Sequence, residues 1–486
     1  MSVTKGFSAL PSELLSEIIE LLPRKDHIVL SGVNTRLRGI LAQHLFRTVK
    51  ISNNPDSDFE ALHRVAQQYA THVRKVSFIG SVWPIKQQQS DRSQSLPPSH
   101  DGSSNNATLP PVHPFLPDVV RRALSGQLFP RASAADVAFE FDFNDLPPEG
   151  GYWEHESSIG LGPDEILCIY PFDVPELEER VVREKEARYH WRKLMAETWE
   201  VMAGNKNITT LIARDTLAKP TSTFFTRKWA DFLRRLGRIE IYMFATDNGA
   251  GWCSNTLEGY TQFEEHLRDY FLKDATSLES LVLAGTAETP FGSGNVRFAN
   301  CALPLTPQDL PDLRYLELRD MFVSPKLSEF LSRPDSHLRT LILYNCRAEV
   351  YSQYAETWAR FLRDLDTEEQ GLTELRVEFD PPIPTSRGGT LYRADQETYI
   401  AIGQKLEELL QEPGAVVFSY GSCSDKYGDY MEAEDDIFTH FVRGDDLAAY
   451  YSLMAKVRRN AGRPNQSDDY IRTRPHFLEI IETLSV

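Results

Sequence analysis

The chain has 486 residues, 41% hydrophobic and 25% charged, so its composition is globular but its length exceeds one ordinary core. Two or more units, or one elongated repeat array, are expected. A net charge of −18 is the wrong sign for a general nucleic-acid binder, and no run reaches the ~20 apolar residues of a membrane helix.

Three helical signals fill the first fifty residues. Pro11 suits a first helical turn, and Leu14, Leu15, Ile18, Ile19 and Leu22 recur after it at helical spacing, with Glu13, Glu17 and Glu20 largely opposite. Pro23 closes that helix. Asp26 is placed to cap a second, with Ile28, Val29, Leu30 and Val33, and Thr35 a third, with Leu37, Ile40, Leu41 and Leu45. Residues 1–50 carry seven Lys/Arg against four acids, a local excess of +3 in a strongly acidic chain. Residues 51–85 read as a linker helix (DFEALHRVAQQYATH) and the first strand of a repeat region (VRKVSFIG).

Residues 86–112 are polar, Ser/Pro-rich and nearly free of apolar side chains, so they read as a disordered insertion. Residues 113–186, acidic and aromatic in part, receive no assignment. From about residue 187 to 420 a helix repeatedly precedes a short strand written roughly Leu-x-x-Leu-x-Leu: ITTLIA at 208, IEIYMF at 239, LESLVL at 278, LRYLEL at 313, LRTLIL at 338 and LTELRV at 372. Each strand is apolar on one face only and must stack on its neighbours to bury it. A helix, DQETYIAIGQKLEELLQ, and a strand, GAVVFSY, end this region, and residues 421–486 read as a helical cap. The pattern is similar to an irregular leucine-rich-repeat solenoid. The implied fold class is α/β, with a parallel inner sheet and outer helices. Asn345 and Cys346 stand where that consensus places Asn or Cys, although most other repeats lack either.

No HExxH, Walker loop, GxSxG or CxxC occurs, so no catalytic residue, cofactor site or metal site is assigned. GSGNVRF at 292 lacks a third glycine at dinucleotide spacing. EAEDDIF at 432–438 reads as a solvated acidic loop, and KVRRNAGR at 456–463 as a basic helix end. The five scattered cysteines read as reduced thiols, and the N-terminus lacks the pattern of a signal peptide, so an intracellular site, cytoplasmic and/or nuclear, is expected.

Periodicity alone leaves the N-terminal helices open between a cap packed in cis on the repeats and a segment made for a partner. The order and spacing of Leu10-Pro11, Glu13-Leu14-Leu15, Ile18, Leu22, Asp26, Leu30, Val33, Asn34, Arg36, Leu37 and Leu45-Phe46-Arg47 decide it: the segment resembles an F-box. Two positions depart, His27 for the usual Leu and Leu37 for the usual Trp. The resemblance implies a three-helix F-box at 1–50, docking onto a Skp-family adaptor and through it a cullin. The adaptor-binding candidates are Leu10, Pro11, Leu14, Leu15, Ile18, Leu22, Ile28, Leu30, Val33 and Leu37. The implied role is that of a non-catalytic, substrate-recognition subunit of a ubiquitin ligase that feeds degradation. A scaffold that binds without degradation is the alternative, and an enzyme with its site at 139–173 a third reading. An unknown protein target would meet the outward positions of the inner sheet, among them Arg214, Tyr315, Glu317, Arg319, Tyr344 and Arg376.

Overall fold

The computed structural model describes residues 10–81, 116–140, 176–245, 253–292, 303–349, 356–379 and 416–463, apart from 55–56, 189, 288, 304, 334–335, 370 and 425–426. The polar insertion, the helix read at 395–411 and the last 23 residues lie outside that set. The chain divides into two compact units, Met1–Ile159 with Arg180–Arg214 and Thr221–Phe232, and Gly160–Glu179 with Asp215–Pro220 and Leu233–Val486.

The first unit opens with α1 (Ser12–Glu20), α2 (Arg24–Ser31) and α3 (Thr35–Leu45). Asn34, not Thr35, caps α3, its Oδ1 accepting the Leu37 N–H at 2.8 Å. Pro23, not Asp26, sits at the cap of α2, where the fixed ring torsion starts the helix. β1 (Thr48–Ser52), α4 (Phe59–Tyr69), β2 (Lys75–Ser81), a helix at Asp118–Leu124, β3 (Ala134–Glu140), a helix at His190–Ala203 and β4 (Thr210–Thr216) come next. β1, β2, β3 and β4 pair in that order, all parallel. Parallel neighbours require crossovers, and the intervening helices supply them. β1 and β3 were not read from the sequence. β1 is only five residues, and β3 (AADVAFE) lies in the stretch left unassigned.

In the second unit β5 (Arg238–Met243), β6 (Ser280–Ala284), β7 (Tyr315–Arg319), β8 (Thr340–Tyr344) and β10 (Glu374–Glu378) form a parallel sheet in chain order. Their registers stack Ile239, Leu281, Leu316, Leu341 and Leu375 in one row and Ile241, Leu283, Leu318, Leu343 and Val377 in the next. All ten side chains are buried, which is where the Leu-x-Leu alternation goes. The helix Trp358–Leu365 buries Trp358, Phe361, Leu362 and Leu365.

The residue after β7 and the residue after β8, Asp320 and Asn345, both adopt positive φ, 47° and 54°. Short polar side chains tolerate that conformation, and the two are linked, Asn345 Nδ2 donating to Asp320 Oδ1 at 2.8 Å. Cys346 then turns inward, fully buried, its thiol donating to the Leu318 carbonyl at 3.4 Å. Burial pushes the Cys346 thiol pKa far up.

β9 (Ala348–Glu349), β11 (Tyr420–Cys423) and β12 (Tyr430–Glu432) form a separate three-stranded sheet, β11 parallel to β9 and antiparallel to β12. The strand expected at 414–420 therefore starts at Tyr420, and the cap expected from 421 begins with strand before its helices, Glu434–Arg443 and Asp445–Asn460. EAEDDIF is correspondingly not a loop: it runs from β12 into the helix Glu434–Arg443.

Candidate functional site

The N-terminal helices carry a small core of their own. Leu15 and Ile19 of α1 pack with Leu37 and Leu41 of α3, and Leu10, Leu30, Ile40 and Leu45 lie against them. Polar links close the bundle. Arg36 Nη2 donates to the Leu10 carbonyl at 2.6 Å, and Arg38 Nε to the Ser31 carbonyl at 3.1 Å. His27, one of the departures from the F-box pattern, bonds through Nε2 to the Ile19 carbonyl at 2.7 Å and packs its ring 5.6 Å from that of His44. A polar residue at this position is thus accommodated without burying an unpaired nitrogen.

This core sorts the ten adaptor candidates. Leu15 and Leu37 are inside it, so both hold the bundle together rather than face a partner. Leu10, Ile18, Leu22 and Leu30 are half-buried, while Pro11, Leu14, Ile28 and Val33 are exposed. α2 is the unusual element, because it buries none of its residues. Ile28, Val29 and Val33 are 59%, 69% and 63% exposed, and Leu21, just before it, is almost bare. Leu21 and Val29 were missed as candidates because Leu21 falls off the apolar stripe of α1 and Val29 sits inside a continuous Ile-Val-Leu run. Ile28 and Val29 on α2, with Leu21 before it and Val33 after it, thus leave exposed apolar side chains along this short stretch.

The second candidate surface is the polar face of the β5–β10 sheet. Register places Tyr315 beside Thr340, Glu317 beside Ile342, and Arg319 beside Tyr344. Glu317 is buried, not open to a target: Tyr315 Oη donates to its Oε2 and Arg319 Nε to its Oε1, each at 2.5 Å. Burial and that bond to Glu317 push the Tyr315 pKa up to about 12. Burial alone would lower the Arg319 pKa, but the bond to Glu317 outweighs it and the net shift is upward. Arg319 also stands over the Tyr344 ring, 5.0 Å from its centroid. Arg376 is exposed and pairs with Glu374. On the first unit, Arg214 is likewise exposed and reaches Asp136 at 3.2 Å, while Lys75 holds the same carboxylate at 2.7 Å. Arg238, Glu240 and Tyr242 of β5 were not among the target candidates. They form a further cluster, with Arg238 Nε 2.8 Å and Tyr242 Oη 3.0 Å from the two oxygens of Glu240. The Arg-Ile-Glu-Ile-Tyr-Met alternation carried that signal.

Among the described residues no group of three or more His, Cys, Asp or Glu is arranged to hold a metal ion, and no helix is long and apolar enough to cross a membrane. Residues 7–48 match the F-box domain family. The chain therefore carries an F-box domain at its N-terminus, followed by helices and parallel strands of an α/β fold. No curated protein matches the chain.

Proposed function

We propose that the protein is the substrate-recognition subunit of a Skp–cullin–F-box ubiquitin ligase, docking on a Skp-family adaptor through α1–α3 and holding a protein target on the polar face of its parallel sheet. The observation that carries this reading is α2, a helix with no buried residue that leaves Ile28 and Val29 exposed inside a segment that matches the F-box domain. Fully burying an Ile, Val or Leu side chain is worth roughly 1.5–3 kcal/mol, so Leu21, Ile28, Val29 and Val33 together offer a strong anchor. The stacked Leu-x-Leu rows and their helical crossovers support reading the body as an irregular leucine-rich-repeat array. Its part in the reaction is proximity: tethering raises the local concentration of target at the ubiquitin donor.

The test is co-purification with a Skp-family adaptor, comparing the intact chain with Val29→Glu/Val33→Glu. Both positions are exposed, so the variant is expected to fold as the parent does and to lose the adaptor. Capture by neither chain would remove the reading, and equal capture by both would remove Val29 and Val33 as its anchor. Target half-life with and without the protein then separates a receptor from a scaffold.

A further inference from the structure

β5 and β7 carry the same three residue types in opposite order. β5 reads Arg238, Glu240, Tyr242 and β7 reads Tyr315, Glu317, Arg319. Between them β6 contributes only Ser280, Val282 and Ala284 to that face. Register aligns Arg238 with Ser280 and Tyr315, Glu240 with Val282 and Glu317, and Tyr242 with Ala284 and Arg319. The two strands thus stand two strand spacings apart, roughly 9.6 Å, and Val282 and Ala284 between them are buried, so the accessible part of this face is its arginines and tyrosines. Opposite order puts an arginine across from a tyrosine at both ends, and the two carboxylates in the middle.

The two charges are not equally accessible. The side chains of Glu240 and Glu317 are each 10% exposed, whereas those of Arg238 and Arg319 are 48% and 40% exposed. Each carboxylate lies beneath its own strand's arginine and tyrosine, and Arg319 reaches Glu317 through both Nε and Nη2. Arg238 spends only Nε on Glu240, and among the described residues its two terminal nitrogens have no partner. A guanidinium fixed through Nε keeps its remaining N–H donors in a rigid plane, a geometry suited to a carboxylate acceptor. β10 differs, with Glu374 and Glu378 flanking Arg376.

Resting on the receptor reading above, we propose that the target segment seated over β5–β7 is an acidic peptide, its Asp or Glu carboxylates received by Arg238 and Arg319. A basic segment would meet the outward guanidiniums before reaching the sunken carboxylates. The chain's −18 does not override this, since charges beyond the Debye length of about 8 Å at physiological ionic strength are largely screened.

The experiment is fluorescence anisotropy on the full chain with a short labelled oligoglutamate peptide and an oligolysine peptide of equal length. Oligoglutamate is expected to bind, and Arg238→Gln/Arg319→Gln to weaken it more than about tenfold. Because that variant leaves two buried carboxylates without a counter-charge, a second chain with Glu240→Gln and Glu317→Gln added keeps the cluster neutral, and it should show the same loss with an unchanged thermal transition. Retained oligoglutamate binding in both variants, no binding by the parent, or preference for oligolysine would overturn the proposal. Adaptor capture measured on the same preparations separates this failure from that of the receptor reading.

Discussion

Asp446 accepts the Ala359 N–H at 2.7 Å and the Tyr420 hydroxyl at 2.8 Å, and the same hydroxyl accepts the Trp358 N–H at 3.2 Å. Burial raises the Asp446 pKa above that of an ordinary carboxylate, with the Tyr420 bond and the nearby His440 pulling the other way. The fold therefore prefers the protonated acid, so this group's contribution to stability grows as pH falls through the raised pKa. It levels off below the unfolded-chain value. Denaturation of Asp446→Asn across neutral to acidic pH should lack that increment relative to the parent. Asp446→Ala strands two buried donors, at roughly 1–3 kcal/mol for each, readable as a lower denaturant midpoint. Asp309 runs the opposite way. Burial would raise its pKa, but Arg268 at 2.7 Å and the Thr306 donors outweigh it and hold the carboxyl low. Its stabilisation is present above the unfolded carboxylate pKa and lost as pH falls through the lowered one. Asp309→Asn should therefore be less stable than the parent near neutral pH, the gap closing in acid.

Within the F-box, α1 and α2 divide the labour. α1 gives Leu15 and Ile19 to the core, whereas α2 gives that core only the half-buried Leu30 and shows its other apolar residues outward. Leu15→Ala is expected to cost about 2–5 kcal/mol and to lose the adaptor by melting the segment, seen as reduced helical circular dichroism. Val29→Glu should change stability by no more than about 0.5 kcal/mol and lose the adaptor with the helices intact. Running both variants separates folding from binding. Burial also governs which strands are legible in the sequence. β5, β7, β8 and β10 announce themselves by alternation, because one face is aliphatic and the other largely polar, while β6 is legible through the spacing of Leu278, Leu281 and Leu283. β3 does not alternate: five consecutive residues, Ala135 to Phe139, are buried, and a run buried on both faces has no period to read.

At the scale of the molecule, the F-box core draws on residues of the segment itself, Leu10 to Leu45. A chain lacking residues 10–45 should therefore keep the β-sheet signal and thermal transition of the second unit while losing adaptor capture, checked by circular dichroism and co-purification. The opposite end behaves differently. The helix Asp445–Asn460 is tied to the body of the second unit through Asp446, through Ser452 Oγ donating to Asp366 at 2.6 Å and through Asn460 Nδ2 donating to the Leu372 carbonyl at 3.0 Å. These bonds reach the helix Trp358–Leu365, its C-cap Asp366 and the lead-in to β10.

The sequence by itself determined the three N-terminal helices, the F-box resemblance and most of the strands that stack into leucine rows. Those features are local: helical spacing, a proline at a helix start and two-residue alternation are written in neighbouring residues. Only the tertiary structure decided which apolar residues face outward. Leu14 and Leu15 are adjacent and chemically alike, yet one is exposed and the other fully buried, because α3 covers one side of α1. The same holds for Glu317, which reads as a surface acid on its strand and lies sunk beneath Tyr315 and Arg319. Burial and charge pairing depend on what neighbouring strands and helices place overhead, and no local pattern carries that.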